Sequence, residues 1–245
     1  MNINLSVAAQ GGQGGDGGET ISITRTGAGG NGGEARAGSV IAALSHSNAL
    51  GRVTVLATAS GGNGGASDVT PGNGGAATIA PESTASLTYD AGINTTTQLT
   101  VSTEATGGSG LIGGAATSAP SELAVSGTAT SLTAGNTIVR SSASGGAGVS
   151  ALPTGGSGGE ATSASAGVTI TRADFSSTNG FLVTSHARGG HGGTGATGTT
   201  AGRDGRHGGA GGAASAGESR LVLDGATGTA NITHFLVSAV ARGGQ

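Results

Sequence analysis

The sequence predicts an all-β repeat protein: a solenoid-like stack of about five units combining short β-strands with a layer of glycine-rich polyproline/polyglycine II helices. Three observations predict it. One phrase recurs before six Gly doublets, and its side chains shrink in the same order each time. A second alternating phrase follows a further Gly cluster in each repeat. The clusters themselves carry a three-residue period, GGxGG.

The doublets are Gly11-Gly12, Gly61-Gly62, Gly107-Gly108, Gly145-Gly146, Gly189-Gly190 and Gly243-Gly244. Eight residues before each stand Ile3, Val53, Leu99, Thr137, Phe181 and Phe235, and six before, Leu5, Val55, Val101, Val139, Val183 and Val237. Four before, the residues are Val7, Ala57, Thr103, Ser141, Ser185 and Ala239; two before, Ala9, Ala59, Ala105, Ala143, Ala187 and Ala241. Period-two alternation marks a strand with one buried face. The taper from branched groups to methyls to bare backbone predicts strands stacked in register and running into a layer packed by main chain. The six Ala and the doublet Gly are therefore expected to be structural.

Successive doublets are 50, 46, 38, 44 and 54 residues apart, the spacing of an array in which each repeat buries its face against its neighbours. The expected organisation is one elongated array over 1–245, with units at 3–52, 53–98, 99–136, 137–180 and 181–234 and a partial unit at 235–245. Inside each unit a return phrase reverses the taper: Gly32–Ala37, Gly74–Ile79, Gly113–Ser118, Gly158–Ser163 and Gly211–Ala216. A third apolar run follows at Val40–Leu44, Leu87–Tyr89, Leu123–Val125, Val168–Ile170 and Leu221–Leu223. Turn-rich pieces such as Asp90–Asn94 and Ser177–Gly180 are then expected to lead into the next unit. Between the two Gly clusters the length varies: a strand-like Glu19–Arg25 in the first unit, only Leu111-Ile112 in the third, the polar Thr194–His207 in the fifth. A fixed body with variable tips is how scaffolds carry recognition loops.

With two Gly in every three residues, an extended three-per-turn helix presents two bare edges and one side-chain edge. Ordering so much Gly is entropically expensive, so the clusters call for a cooperative lattice.

Composition narrows the function. Charged residues make up 9 % of the chain and the net charge is −3, which argues against a nucleic-acid partner. No apolar run approaches the ~20 residues of a membrane span, so no membrane insertion is expected. There is no Cys. All ten basic residues other than His are Arg, scattered along the sequence. The opening residues lack a signal-peptide pattern, implying export without one or a signal already removed.

Candidate sites are few. Gly11–Gly18, with Asp16, partly matches a calcium-binding nonapeptide, but Gly18 fills its apolar position and no second copy stacks beside it. His191 and His207 stand near Arg203, Asp204 and Arg206 without metal-ligand spacing. Catalytic motifs are missing, so neither an enzyme nor a cofactor is expected. The acidic Glu34, Glu82, Glu104, Glu122, Glu160 and Glu218 are expected at exposed sheet edges. An ice-binding face would want ranks of one hydroxyl residue. The outward positions instead read Gln10, Ser60, Thr106, Ser144, Arg188, Arg242 and Ala8, Thr58, Glu104, Ser142, His186, Val240.

Alternating small-residue strands broken by GGxGG clusters resemble the glycine-rich repeats of large bacterial surface and adhesion proteins. Clusters separated by variable segments are also similar to the distal adhesin of T-even-type phage tail fibres. That resemblance implies a sandwich of glycine helices whose intervening segments touch the host. It carries ligand contacts onto Ser67–Pro71 (Asp68), Leu111 and Ile112, Ser150–Thr154 (Leu152), and the fifth tip with His191, Arg203, Asp204, Arg206 and His207. The chain departs from the adhesin in its substantial β-type runs and in lacking a fibre-attachment module at its start. The expected function is a non-enzymatic extracellular or virion-surface scaffold, fibre or adhesin. Its expected partners are other copies, fibre subunits, or a surface glycan or outer-membrane protein. The alternatives are an ice-binding protein on a glycine-rich bundle and a purely structural filament subunit. Because the chain opens and closes on the same strand phrase, its ends are expected to meet other copies head to tail or to continue a longer chain.

Overall fold

The computed structural model describes residues 2–18, 27–44, 48–80, 84–90, 92–128, 130–150, 155–195, 208–224 and 228–245. Among them every regular element is a strand. In chain order these are β1 (Ile3–Gln10), β2 (Ala35–Ala37), β3 (Val40–Leu44), β4 (Asn48–Ser60), β5 (Ala77–Ile79) and β6 (Ala85–Tyr89). There follow β7 (Gly92–Thr106), β8 (Ala116–Thr117), β9 (Ser121–Ser126), β10 (Thr130–Ser144), β11 (Ala161–Ser163) and β12 (Ala166–Thr171). The last are β13 (Asp174–Arg188), β14 (Ala214–Ala216), β15 (Ser219–Asp224), β16 (Ala230–Ile232) and β17 (Phe235–Arg242).

They form three parallel sheets of the β-solenoid kind. A seven-stranded sheet runs β1-β4-β7-β10-β13, with β16 and β17 both pairing β13. One five-stranded sheet runs β14-β11-β8-β5-β2 and the other β15-β12-β9-β6-β3. The tapering phrase sets the first sheet's register: Ile3, Val53, Leu99, Thr137, Phe181 and Phe235 are successive partners, as are the six Ala. The return phrases pair as Ala35, Ala77, Ala116, Ala161 and Ala214.

The core lies between the large sheet and the two smaller ones, and its composition follows the taper. Val53, Val55, Leu99, Val101, Val139, Phe181 and Val183 are buried on one side, facing Leu87, Tyr89, Leu123, Val125 and Val168. One level down, hydroxyls replace apolar groups. Thr103 Oγ1 and Ser141 Oγ donate to the Ala119 carbonyl, Ser185 Oγ donates to Ala164, and Ser118–Ser141 and Ser163–Ser185 are hydroxyl pairs. These bonds satisfy carbonyls at the corners between the two small sheets, which would otherwise be buried unpaired. Below them the Ala layer is closed at Ala59, Ala105, Ala143 and Ala187. Ala9 is half-buried and Ala241 exposed, because no neighbour covers the first and last rungs.

Under the Ala layer the glycine segments bond to one another. The first Gly of each doublet donates to the neighbouring strand's end: Gly11 to Ser60, Gly61 to Thr106, Gly107 to Ser144, Gly145 to Arg188, Gly189 to Arg242. The second Gly donates across to a return segment: Gly62 to Gly33, Gly108 to Gly75, Gly146 to Gly114, Gly190 to Gly159, Gly244 to Gly212. The returns donate back, Gly33 to Gly12 and Gly75 to Gly62 among them. The result is a zigzag of amide-to-carbonyl bonds from Gly244 to Gly12. Where the rung before carries Asn, Gln or Asp between its glycine pairs, that side chain meets the N–H of the corresponding residue. Asn63 N donates to Gln13 Oε1, Ser109 N to Asn63 Oδ1, Asn73 N to Asn31 Oδ1 and Ile112 N to Asn73 Oδ1. This explains why Asn, Gln or Asp so often interrupts the glycines.

Two expectations are corrected. The large sheet's strands are not short: β7, β10 and β13 each run 15 residues. They absorb much of the turn-rich pieces: β7 takes in Gly92–Asn94, and β13 runs through Ser177–Gly180 with a register shift opposite Gly135. A ladder partner on each side outweighs local turn chemistry, and the extra residue is taken up as a bulge. Glu104 and Glu122 also do not sit on sheet edges. They lie on inner strands β7 and β9, on outward positions where solvent rather than an edge accommodates the charge. Glu82 and Glu19–Arg25 lie outside the described residues.

Thr137 is the misfit in its row. Its Oγ1 is buried without a hydrogen-bond partner between Leu99 and Phe181. Thr137→Val keeps the shape and removes the stranded hydroxyl, so denaturant unfolding should show a gain of about 1 kcal/mol.

Candidate recognition surface

The described variable segments, Ser67–Pro71 and Leu111-Ile112, lie at the glycine end of the stack. In the second, Ser67 Oγ accepts from Val69 N and Thr70 N and donates to Gly27 O, fixing a tight turn that leaves Asp68 and Val69 exposed. In the third, the chain reverses at once. Leu111 N donates to Gly72 O, and Ile112 is bridged to Ser157. Because this reversal stops short, its neighbours overhang it. Gly64–Ser67, Pro71 and Gly72 on one side and Val149-Ser150 on the other enclose a cleft of about 210 Å³ floored by Gly110. The structure thus brings two expected tips, Ser67–Pro71 and the start of Ser150–Thr154, to one place. Ile112 points elsewhere, into a shallow groove of about 560 Å³ with Asn31, Asn73, Glu34 and Glu160.

His191 is not at a tip, contrary to expectation. The segment Gly189–Gly193 continues straight on from β13, with Gly190 N bonded to Gly159 O and Gly192 N to Gln245 O. Residue 191 therefore takes the solvent edge and continues the outward row of the large sheet. There Arg188 Nη2 lies 2.5 Å from its Nε2. Leu152, Arg203, Asp204, Arg206 and His207 lie outside the described residues.

One cluster escaped the linear reading. Scattered in sequence, Arg140, Arg188 and Arg242 meet on the outward face of β10, β13 and β17 around His186. In register, Arg140 pairs with Thr184, Ser142 with His186, and Arg188 with Arg242. Arg140 Nη2 donates to Ser142 Oγ, so its guanidinium leans along the strand toward the His186 row. Partial burial and the charges of Arg140, Arg242 and Arg188 hold the His186 imidazole below its usual range. It is neutral at pH 7. Arg140 stands five positions before its doublet, and His186, Arg188 and Arg242 three, one and one, so no single outward position carries the cluster.

No group of three or more His, Asp or Glu among the described residues could hold a metal ion. No helix there is long and apolar enough to cross a membrane. Comparison of the chain with family models, curated proteins and solved structures finds no match.

Proposed function

We propose that this chain is a non-enzymatic scaffold of a cell or virion surface, a fibre segment or adhesin. In this reading it consists of five stacked units whose glycine segments wind as polyglycine II helices. The hydrogen bonds recurring at every third residue, in two directions from each segment, support the helical reading. The observation that carries the function is the contrast between an invariant body and variable projections. Registered strands and glycine bonds repeat from rung to rung, whereas the segments at 67–71, 111–112 and 150–154 differ in length and chemistry. The cleft over Gly110 follows from that variation and offers a small, partly apolar contact. Tips 151–154 and 194–207 belong to the same proposal by their sequence.

The test exchanges Ser67–Pro71 for a Gly/Ser segment of equal length and compares binding to a panel of whole cells. A change in cell preference with an unchanged melting temperature is expected. Identical binding, or no binding by either form, would favour a purely structural filament subunit instead.

A further inference from the structure

We propose that the outward face of β10, β13 and β17 binds an acidic polysaccharide, its carboxylate or sulfate groups held by Arg140, Arg188 and Arg242 around His186. The proposal rests on the surface-scaffold reading and names a ligand class and a site for it, away from the tips. Three features carry it: charge, spacing and the surroundings.

The chain as a whole is net negative at −3, yet three guanidinium groups share this face. Relative to His186, Arg140 is one strand back and one outward position earlier, Arg242 one strand on and one later, and Arg188 next along the same strand. With strands about 4.8 Å apart and about 3.3 Å per residue, their backbone positions span roughly 16 Å. Among the described residues none of the three is paired with a carboxylate. Arg140 meets Ser142, Arg188 meets His191, and Arg188 and Arg242 are exposed. Like charges held this close repel one another, and an anion relieves that repulsion. Guanidinium groups bind carboxylate and sulfate through paired N–H donors.

The surroundings favour a sugar polymer. The same outward face carries Thr54, Thr58, Ser60, Thr100 and Thr106 on β4 and β7, hydroxyls able to exchange hydrogen bonds with sugar hydroxyls. A hydroxyl-bearing surface crossed by Leu56, Ile138 and Leu182, with a local cationic end, suits a flexible polymer with spaced acidic groups. A DNA strand offers no free sugar hydroxyl along its length for those of β4 and β7 to meet. The charged groups facing His186 are Arg140 from β10, Arg188 and His191 from β13 and the residues just after it, and Arg242 from β17. Glu104, on β7, shares the register row of Ser142 and His186, one strand from Arg140, with Oε1 accepting from Ser102, and Asp174 lies at the opposite end of β13.

The experiment titrates the full chain with heparin, polygalacturonate and uncharged dextran at low and physiological salt. Both acidic polymers should bind, more weakly as salt rises, and dextran should not. Replacing Arg140, Arg188 and Arg242 together by Ala should weaken binding about tenfold or more. Replacing Arg36 and Arg220, on the other two sheets, should change nothing. Lowering the pH below the ordinary imidazole value of 6.5 should tighten heparin binding as His186 gains charge beside the bound anion, and His186→Gln should remove that gain. Indifference of the triple variant, or preference for duplex DNA or phosphatidylserine vesicles over both polymers, would overturn the proposal. So would an unchanged pH profile in the His186→Gln variant, as to that residue's place in the site. Wild-type chain that adheres to cells but ignores acidic polymers overturns this site alone; failure to adhere to any cell overturns the wider reading.

Discussion

Gly62→Ala is expected to cost about 3 kcal/mol or more, or to abolish folding, while Gly12→Ala shifts stability by no more than about 0.5 kcal/mol. Both residues are the second Gly of a doublet, and neither has a positive backbone φ. They differ in what lies beside them. A methyl group on Gly62 would stand 1.9 Å from the carbonyl oxygen and 2.6 Å from the carbonyl carbon of Gly12. Those atoms are backbone, fixed by the bond that Gly12 O accepts from Gly33 N, so they cannot swing aside. On Gly12 itself a methyl group would meet nothing within 4 Å, because this is the first rung. There the substitution only restricts the unfolded chain, a small stabilising effect. Parallel denaturant melts of the two variants check the pair. Equal stabilities would mean that the glycine segments are held apart.

Phe181→Ala is expected to cost about 3–5 kcal/mol, and Phe235→Ala less than about 1 kcal/mol. The two side chains occupy equivalent positions in neighbouring strands, Phe181 on β13 and Phe235 on β17. Phe181 is 1 % exposed and meets the Phe175 ring edge to face, with centroids 5.9 Å apart. Truncating it opens a cavity flanked by Thr137 and Phe175 that rigid neighbouring strands cannot close. Phe235 is 65 % exposed, since β17 pairs only β13 and is reached by β14 and β15 from one side, with no rung beyond it. Calorimetry of both variants would separate them. A similar loss in each would show that β17 is covered in solution.

Much of the fold is legible because the buried face of the large sheet is a ruler. Counting back from the Gly doublets aligns Ile3 with Val53 and every later partner, as stacking identical rungs demands that like sizes sit on like. The return strands are equally readable, since Ala35, Ala77, Ala116, Ala161 and Ala214 must all fit under the same narrow layer. Ser177–Gly180 misleads because its residues favour turns in isolation, while two flanking strands supply the backbone partners that keep it extended. The third position of each glycine triplet looks like loop chemistry. Its meaning emerges only when Asn63 is seen to receive an amide hydrogen from the following rung.

The candidate site is less legible, for a related reason. Outward positions are not constrained by packing, so no size rule marks them. His191 looks like part of a polar tip until the glycine segment carrying it is seen to run on alongside its neighbours. The Arg140–His186–Arg242 diagonal crosses three strands and 102 residues of chain, and no local motif signals it.

Each amide in the Gly244-to-Gly12 zigzag points its hydrogen toward the lower-numbered end. Peptide dipoles so aligned add together and strengthen one another along the row. That row has a donor terminus at Gly12 and an acceptor terminus at Gly244, while the bonds from the first Gly of each doublet run the opposite way. Any additional rung, from the same polypeptide or a separate molecule, can extend that row in a single orientation. Each end therefore presents donors in one row and acceptors in the other, and an added rung has to match both.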